Sequence, residues 1–218
     1  MTDSELLKKV DHTMLKPTAT WEQIKKICDE SIEYETASVC IPPTYIERVK
    51  REYADRVRIC TVIGFPLGYS TTECKVYEAR DAIKKGASEV DMVINQGWVK
   101  DGMFDEVTKE IAAVKKAAGQ NILKVIIEIC NLSESEIAKV ADCVTEAEAE
   151  YIKTSTGFGT GGATFEGVKL MSDSIGPRVK IKAAGGIRTR DDMEKFVELG
   201  CERLGTSSAI AILYPEKQ

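Results

Sequence analysis

Residues 56–95 read RVRICTVIGFPLGYSTTECKVYEARDAIKKGASEVDMVIN, and the order of patterns in them decides the architecture. RVRICTVIGF (56–65) is apolar and rich in β-branched residues, as a strand buried on both faces must be. TTECKVYEARDAIKKGA (71–87) then spaces its apolar residues for one face of a helix, and Gly86 falls where a left-handed C-cap is expected. SEVDMVIN (88–95) returns to a strand. A strand, a helix and a second strand in succession form the βαβ unit of a parallel sheet.

The same unit recurs in both directions. Upstream, DHTML (11–15) precedes TWEQIKKICDESIEY (20–34), and ASVCI (37–41) precedes PTYIERVKREY (43–53). Downstream, FDEVTKEIAAVKKAAG (104–119) follows SEVDMVIN, and ILKVIIEI precedes SESEIAKVADCVTEAE (133–148), in which Ser133 and Glu136 have the spacing of a capping box. YIKTS precedes TFEGVKLMSDSI, VKIKAAGG precedes TRDDMEKFVELG, and CERLGTS precedes a short closing helix, with Gly119 and Gly200 as further helix-ending glycines. About eight strand–helix units are what parallel strands need to close on themselves, so the chain is expected to be an α/β protein forming one TIM (β/α)8 barrel over residues 1–218, with a short helix at its N-terminus. A doubly wound open sheet shows the same alternation but usually needs fewer units. No Pro/Ser/Gly-rich linker divides the chain.

Composition narrows the function. A chain of 218 residues with 43% hydrophobic content can bury one sizeable core. The net charge of −5 comes from mixed charges with no basic block, which argues against a nucleic-acid partner. Seven cysteines without CxxC pairs suit free thiols in a reducing compartment. MTDSELLKKVDHTMLKP lacks the apolar region of a signal peptide, and no run approaches the roughly 18 apolar residues of a membrane span, so the expectation is a cytoplasmic protein with no membrane partner.

In a TIM barrel the C-terminal ends of the strands carry the chemistry. Asp91 in SEVDMVIN, Lys153 in YIKTS and Lys182 in VKIKAAGG each lie among apolar residues. A single strand lysine is ordinarily a snorkelling side chain. Two at the ends of neighbouring strands lie close together, and like charge lowers a pKa. A lysine with pKa about 10.4 is seldom neutral at pH 7, so this pairing is what an amine nucleophile requires. One lysine can attack a carbonyl while the other stays charged and shares proton transfer with a carboxylate such as Asp91. These residues alone leave open which lysine attacks.

The glycines point to the substrate. TGFGTGGAT (156–164, with Gly161 and Gly162), AAGGIRT (183–189, with Gly185 and Gly186) and LGTSSAI (204–210, with Gly205, Ser207 and Ser208) follow three consecutive strands. In this fold that side of the mouth commonly binds a phosphate through loop N–H groups and hydroxyls. One such loop is merely a tight turn; three together indicate a small phosphate ester. None has a P-loop lysine or a dinucleotide fingerprint.

DHTMLKP, SVCIPPTYI, IGFPLG, EVDMVINQG, KVIIEIC, YIKTSTGFGTGGAT and KIKAAGGIRT, in this order, resemble the deoxyribose-phosphate aldolase family, class I aldolases on a TIM barrel. The resemblance spans almost the whole chain. It implies reversible cleavage of 2-deoxy-D-ribose 5-phosphate, a deoxyribonucleoside catabolite, to D-glyceraldehyde 3-phosphate and acetaldehyde, with no metal or organic cofactor. It also assigns roles: Lys153 the Schiff-base nucleophile, Lys182 the neighbouring cation that depresses its pKa, and Asp91 the proton donor and acceptor. Asp11 and Thr13 are similar to family residues near the substrate, Lys16 gives support, and Cys40 is similar to a family cysteine close to the pocket. A homodimer is the expected assembly.

Other features are weighed separately. His12, the sole histidine, is expected to be structural, and no His/Cys/carboxylate set has the sequence spacing of a zinc site. Some family members carry a lysine where this chain has Phe158, and some end in a tyrosine that assists proton transfer, a pattern that Tyr214 in AILYPEKQ does not match. Two alternatives remain: a non-covalent sugar-phosphate isomerase or synthase, which leaves the lysine pair unexplained, and a sugar-phosphate sensor, which has no need of Lys153, Lys182 or Asp91.

Overall fold

The structure, a computed structural model, describes residues 1–217. Eight strands, β1 (Val10–Thr13), β2 (Ser38–Ile41), β3 (Ile59–Ile63), β4 (Glu89–Val93), β5 (Ile122–Ile126), β6 (Tyr151–Lys153), β7 (Lys180–Ala184) and β8 (Cys201–Thr206), pair in parallel in sequence order. Val10 and Asp11 of β1 lie in register with Leu204 and Gly205 of β8, which closes the barrel and excludes the open sheet. Around it run α1 (Asp3–Leu7), α2 (Trp21–Glu33), α3 (Ile46–Tyr53), α4 (Thr72–Lys85), α5 (Gln96–Lys100), α6 (Phe104–Ala118), α7 (Glu134–Glu146), α8 (Phe165–Ser174), α9 (Arg190–Glu198) and α10 (Ala209–Leu213).

Helix ends follow local chemistry. Ser133 and Glu136 form the expected capping box at α7, and Thr20 with Gln23 and Thr189 with Asp192 do the same at α2 and α9. Gly86 ends α4 in the left-handed conformation, φ 113°. Gly119 also has positive φ, but its ψ of −124° places it outside the left-handed helical basin, and α9 is capped by Leu199, one residue before Gly200. The short helix α5 lies in a segment, NQGWVK, whose glycine and lack of apolar periodicity hid it from a reading by pattern.

The strand period of two divides the barrel into two cores. Val39, Ile59, Val90, Leu123, Ile152 and Ile181 join Ile24, Ile111, Val140, Met171 and Phe196 of the helices in one apolar layer. The alternate residues turn inward. Cys40, Cys60 and Val62 form a small separate cluster with Leu15 and Phe65, and most of the rest of the interior is charged. Among the described residues no helix is long and apolar enough to cross a membrane.

Candidate active site

Glu89 and Asp91 sit two apart on β4, so both carboxylates enter the barrel, and neither is exposed. Lys153 and Lys182 are register partners on β6 and β7. Both ammonium groups donate to the same oxygen, Asp91 Oδ2, at 2.7 Å each. Lys182 also meets Asp11 Oδ2 at 2.6 Å. From β5, Lys124 donates to the other Asp91 oxygen at 2.9 Å and meets Glu89 at 2.6 Å and Asp11 at 3.6 Å. Arg203 on β8 spans the barrel, with two 3.0 Å bonds to Glu89 and one of 2.5 Å to Asp11, which also accepts from Ser38 at 2.7 Å.

Four buried cations thus meet three buried carboxylates. Lys124 has three of these carboxylates as partners, Lys182 and Arg203 have two each, and Lys153 has Asp91 alone. Lys153 is therefore the cation the cluster can best spare. The ionised forms of the others are locked in. Burial alone would raise the Asp91 carboxyl, but Lys124, Lys153 and Lys182 outweigh it and hold the group well below the ordinary range. Burial likewise opposes charge on Lys182, yet Asp11 and Asp91 push its ammonium above the usual lysine value.

Cys60 lies against the same centre, donating to Asp91 Oδ1 at 3.1 Å while Lys124 donates to its sulfur at 3.2 Å. Cys40 is its register partner on β2 and is fully buried beneath the pocket. The hydrogen bond from Cys60 lowers the Cys40 thiol against the effect of burial, whereas burial pushes Cys60 well up. Cys40, Cys60 and Asp91 bring their ligand atoms within 4.8 Å, as do Asp11, Cys60 and Glu89. Residues with no metal spacing in sequence are thus assembled by the fold. Their carboxylates already carry lysine and arginine partners, so like charge opposes a metal ion there.

Above this charged floor opens a cavity of about 560 Å³ at the C-terminal ends of the strands. Lys153 reaches it from below, and Thr13, Lys16, Gly185, Gly186, Gly205, Ser207 and Ser208 line it. Asp11, Asp91, Lys182 and Cys40 are fully buried and are not among its lining residues. The cations on the wall are Lys16, Lys153 and Arg188, and no carboxylate is among its lining residues, which suits a phosphate dianion. Gly205 leaves room for its neighbours: a Cβ there would lie 3.0 Å from both Lys182 Cε and Ala184 Cβ, so a larger residue would crowd the lysine's path.

Two expected phosphate contacts are placed elsewhere. Gly161 and Gly162 are absent from this wall and line a separate cavity between α7 and α8. A Cβ on Gly162 would come within 2.4 Å of the Gly185 backbone, so this glycine serves close packing between the loops after β6 and β7. Phe158 stands half-exposed at the cavity edge, edge-on to Phe65 at 5.4 Å. His12 is bound at 2.7 Å to Glu30 of α2, and Tyr214 packs on Tyr34 at 5.1 Å between ring centres.

Lys124, Glu89, Arg203, Cys60 and Arg188 escape a reading that looks only for polar residues at strand ends. A signal for three of them was present. Lys124 is flanked by aliphatic residues just as Lys182 is, and Glu89 and Arg203 share the strand period with Asp91 and Gly205.

The chain matches the family model described as DeoC/LacD family aldolase over residues 6–209. It is 59% identical over 217 residues to a deoxyribose-phosphate aldolase of Clostridium botulinum, covering 100% of this chain and 98% of the relative. It is 56% identical to that of Clostridioides difficile, covering 97% and 96%. Among solved structures, the tetrameric deoxyribose phosphate aldolase of Aeropyrum pernix superposes with a TM-score of 0.92 at 30% identity, covering 100% of this chain and 93% of that one.

Proposed function

From the premise that this chain belongs to the DeoC/LacD family of aldolases, we propose that it reversibly cleaves 2-deoxy-D-ribose 5-phosphate to D-glyceraldehyde 3-phosphate and acetaldehyde through an imine on Lys153. The observation that carries this reading is the position of Lys153. It is the one cation of the buried cluster that lines the cavity, and it is also the cation held by a single carboxylate.

Release of a proton from Lys153 leaves three cations facing three carboxylates, so the neutral amine costs the cluster no unpaired charge. The phosphate end of the open-chain sugar lies between Arg188 and the Thr156–Phe158, Gly185–Gly186 and Ser207–Ser208 loops, which directs C1 towards Lys153. Nζ adds to C1, and loss of water from the carbinolamine gives a cationic imine. That cation accepts the electron pair as C2–C3 breaks. The C3 hydroxyl loses its proton, glyceraldehyde 3-phosphate departs, and the enamine left on Lys153 is protonated at C2 and hydrolysed to acetaldehyde. Asp91 Oδ2 accepts from both ammonium groups, so it can take the proton that Lys153 releases and return it in the later steps, while Lys182 keeps its charge beside it. The residues that do this are all side chains of the chain itself, and the scheme uses no cofactor. An assembly of identical chains and a cytoplasmic location accompany this reading, supported by the tetrameric relative and by seven free thiols.

Borohydride reduction in the presence of acetaldehyde tests the imine directly. The expected result is one ethyl group added per chain, on the peptide containing Lys153, and none after Lys153→Leu. An adduct spread over surface lysines, or no adduct, sinks the covalent mechanism and leaves a non-covalent sugar-phosphate barrel.

A further inference from the structure

Glu128 follows β5 and adopts a left-handed backbone, φ 53° and ψ 66°, that a side chain with a Cβ rarely takes. It is 3% exposed. Its carboxylate turns to the loop after β6, where both oxygens accept the Thr156 amide, at 3.1 and 3.3 Å, and one accepts the Thr156 hydroxyl. The same Thr156 hydroxyl oxygen accepts the Phe158 amide at 3.0 Å. A Cβ on Gly159 would lie 3.2 Å from the carboxylate carbon, so the loop closes tightly over this side chain. Thr156, Gly157 and Phe158 are the part of the loop that lines the cavity.

A buried anion behind a phosphate site is costly on two counts: its desolvation and its repulsion of the ligand. Its retention in a strained backbone calls for a function. We propose that Glu128 is the positioning residue of the phosphate-binding loop, and that through Thr156 it sets the preference for a phosphorylated over an unphosphorylated sugar. This rests on the sugar-phosphate reading of the cavity. With the Thr156 amide and hydroxyl tied to Glu128, the chain that follows is presented to the cavity in one conformation and needs no ordering when a ligand arrives. The Lys153 ammonium is held by Asp91 and its strand by backbone pairing to β5 and β7, none of which uses the Glu128 carboxylate, so the carbon end of the substrate should depend on that side chain far less than the phosphate end does.

The test compares wild type, Glu128→Ala and Glu128→Gln, using kcat and KM for 2-deoxy-D-ribose 5-phosphate and kcat/KM for 2-deoxy-D-ribose, with a 31P NMR titration of inorganic phosphate. Glu128→Ala is expected to lower the ratio of the two kcat/KM values by about tenfold, close to 1.4 kcal/mol, through KM rather than kcat. Phosphate affinity should fall in parallel. Glu128→Gln keeps one acceptor oxygen and should lie between the two. A ratio that rises, or stays within about twofold in the folded variants, overturns the proposal, as does an equal loss on both sugars. If the alanine variant does not fold, the glutamine variant decides by the same ratio. If wild type cleaves neither sugar, the aldolase reading fails, and the phosphate titration still decides the role of Glu128: weakened binding supports it and unchanged binding refutes it.

Discussion

Lys124 does not line the cavity, yet its loss should alter the pH dependence of the reaction. In the native cluster the cations exceed the carboxylates by one, and Lys153 is the dispensable charge. Lys124→Met leaves Lys153, Lys182 and Arg203 against Asp11, Glu89 and Asp91, so the proton on Lys153 becomes necessary for balance. Lys124 and Lys153 bond opposite oxygens of one carboxylate. Two unit charges roughly 6 Å apart at an effective dielectric constant of about 20 interact by about 3 kcal/mol, or about two pH units. The acid limb of the kcat/KM profile for cleavage of 2-deoxy-D-ribose 5-phosphate should therefore move up by one to two pH units, allowing for screening, with an approach to the wild-type rate at alkaline pH. Breaking a buried pair also costs stability, about 3–5 kcal/mol, so the profile is to be measured at a temperature where circular dichroism shows the variant folded. The double variant Lys124→Met/Glu89→Gln restores one excess cation and should bring the limb back towards its wild-type position. An unmoved limb in the single variant, or a double variant that behaves like the single one, refutes the charge-balance reasoning.

Two further outcomes follow from packing and burial. Gly162→Ala drives a Cβ into the Gly185 backbone at 2.4 Å, so urea titration should show a loss of about 1–3 kcal/mol and KM for the sugar phosphate should rise; a variant unchanged in both would mean the two loops are not held by this contact. Cys74 and Cys130 are the exposed thiols, while burial pushes Cys28 and Cys201 up to about 12. A thiol reagent at pH 8 should label two sites quickly in the folded protein and the remaining five only on unfolding, and rapid labelling of Cys28 or Cys201 would contradict the packing of α2 or β8.

The barrel is legible in sequence because each unit buries its strands on both faces, and that produces short, mostly apolar, β-branched runs between amphipathic helices. The convergence of Asp91, Lys153 and Lys182 is legible for a related reason: a charge inside such a run has nowhere to go but the interior. Lys124, Glu89 and Arg203 obey the same rule but lie deeper, where no strand-end argument draws attention to them. The glycine loops are legible as a group and not singly. Gly205 is a passage for Lys182 and Gly162 a packing contact, and sequence cannot separate these from an anion contact because each demands the same missing Cβ. Glu128 carries no sequence signal, since its function lies in a left-handed backbone and in a partner, Thr156, on the next strand's loop.

The interior charges do not hold this barrel together. Buried ion pairs seldom match the stability of well-packed apolar replacements, and here the apolar layer between strands and helices already supplies a continuous core. The interior is thereby free to be polar. Within it the number of charges matters more than their strength. Equal numbers of cations and carboxylates would make every lysine proton necessary, whereas one cation in excess leaves a single amine that can give up its proton without stranding a buried anion. Lys153 is the cation with the fewest partners and the only one of the four that lines the cavity, so charge balance and access both point to the amine proposed as the nucleophile.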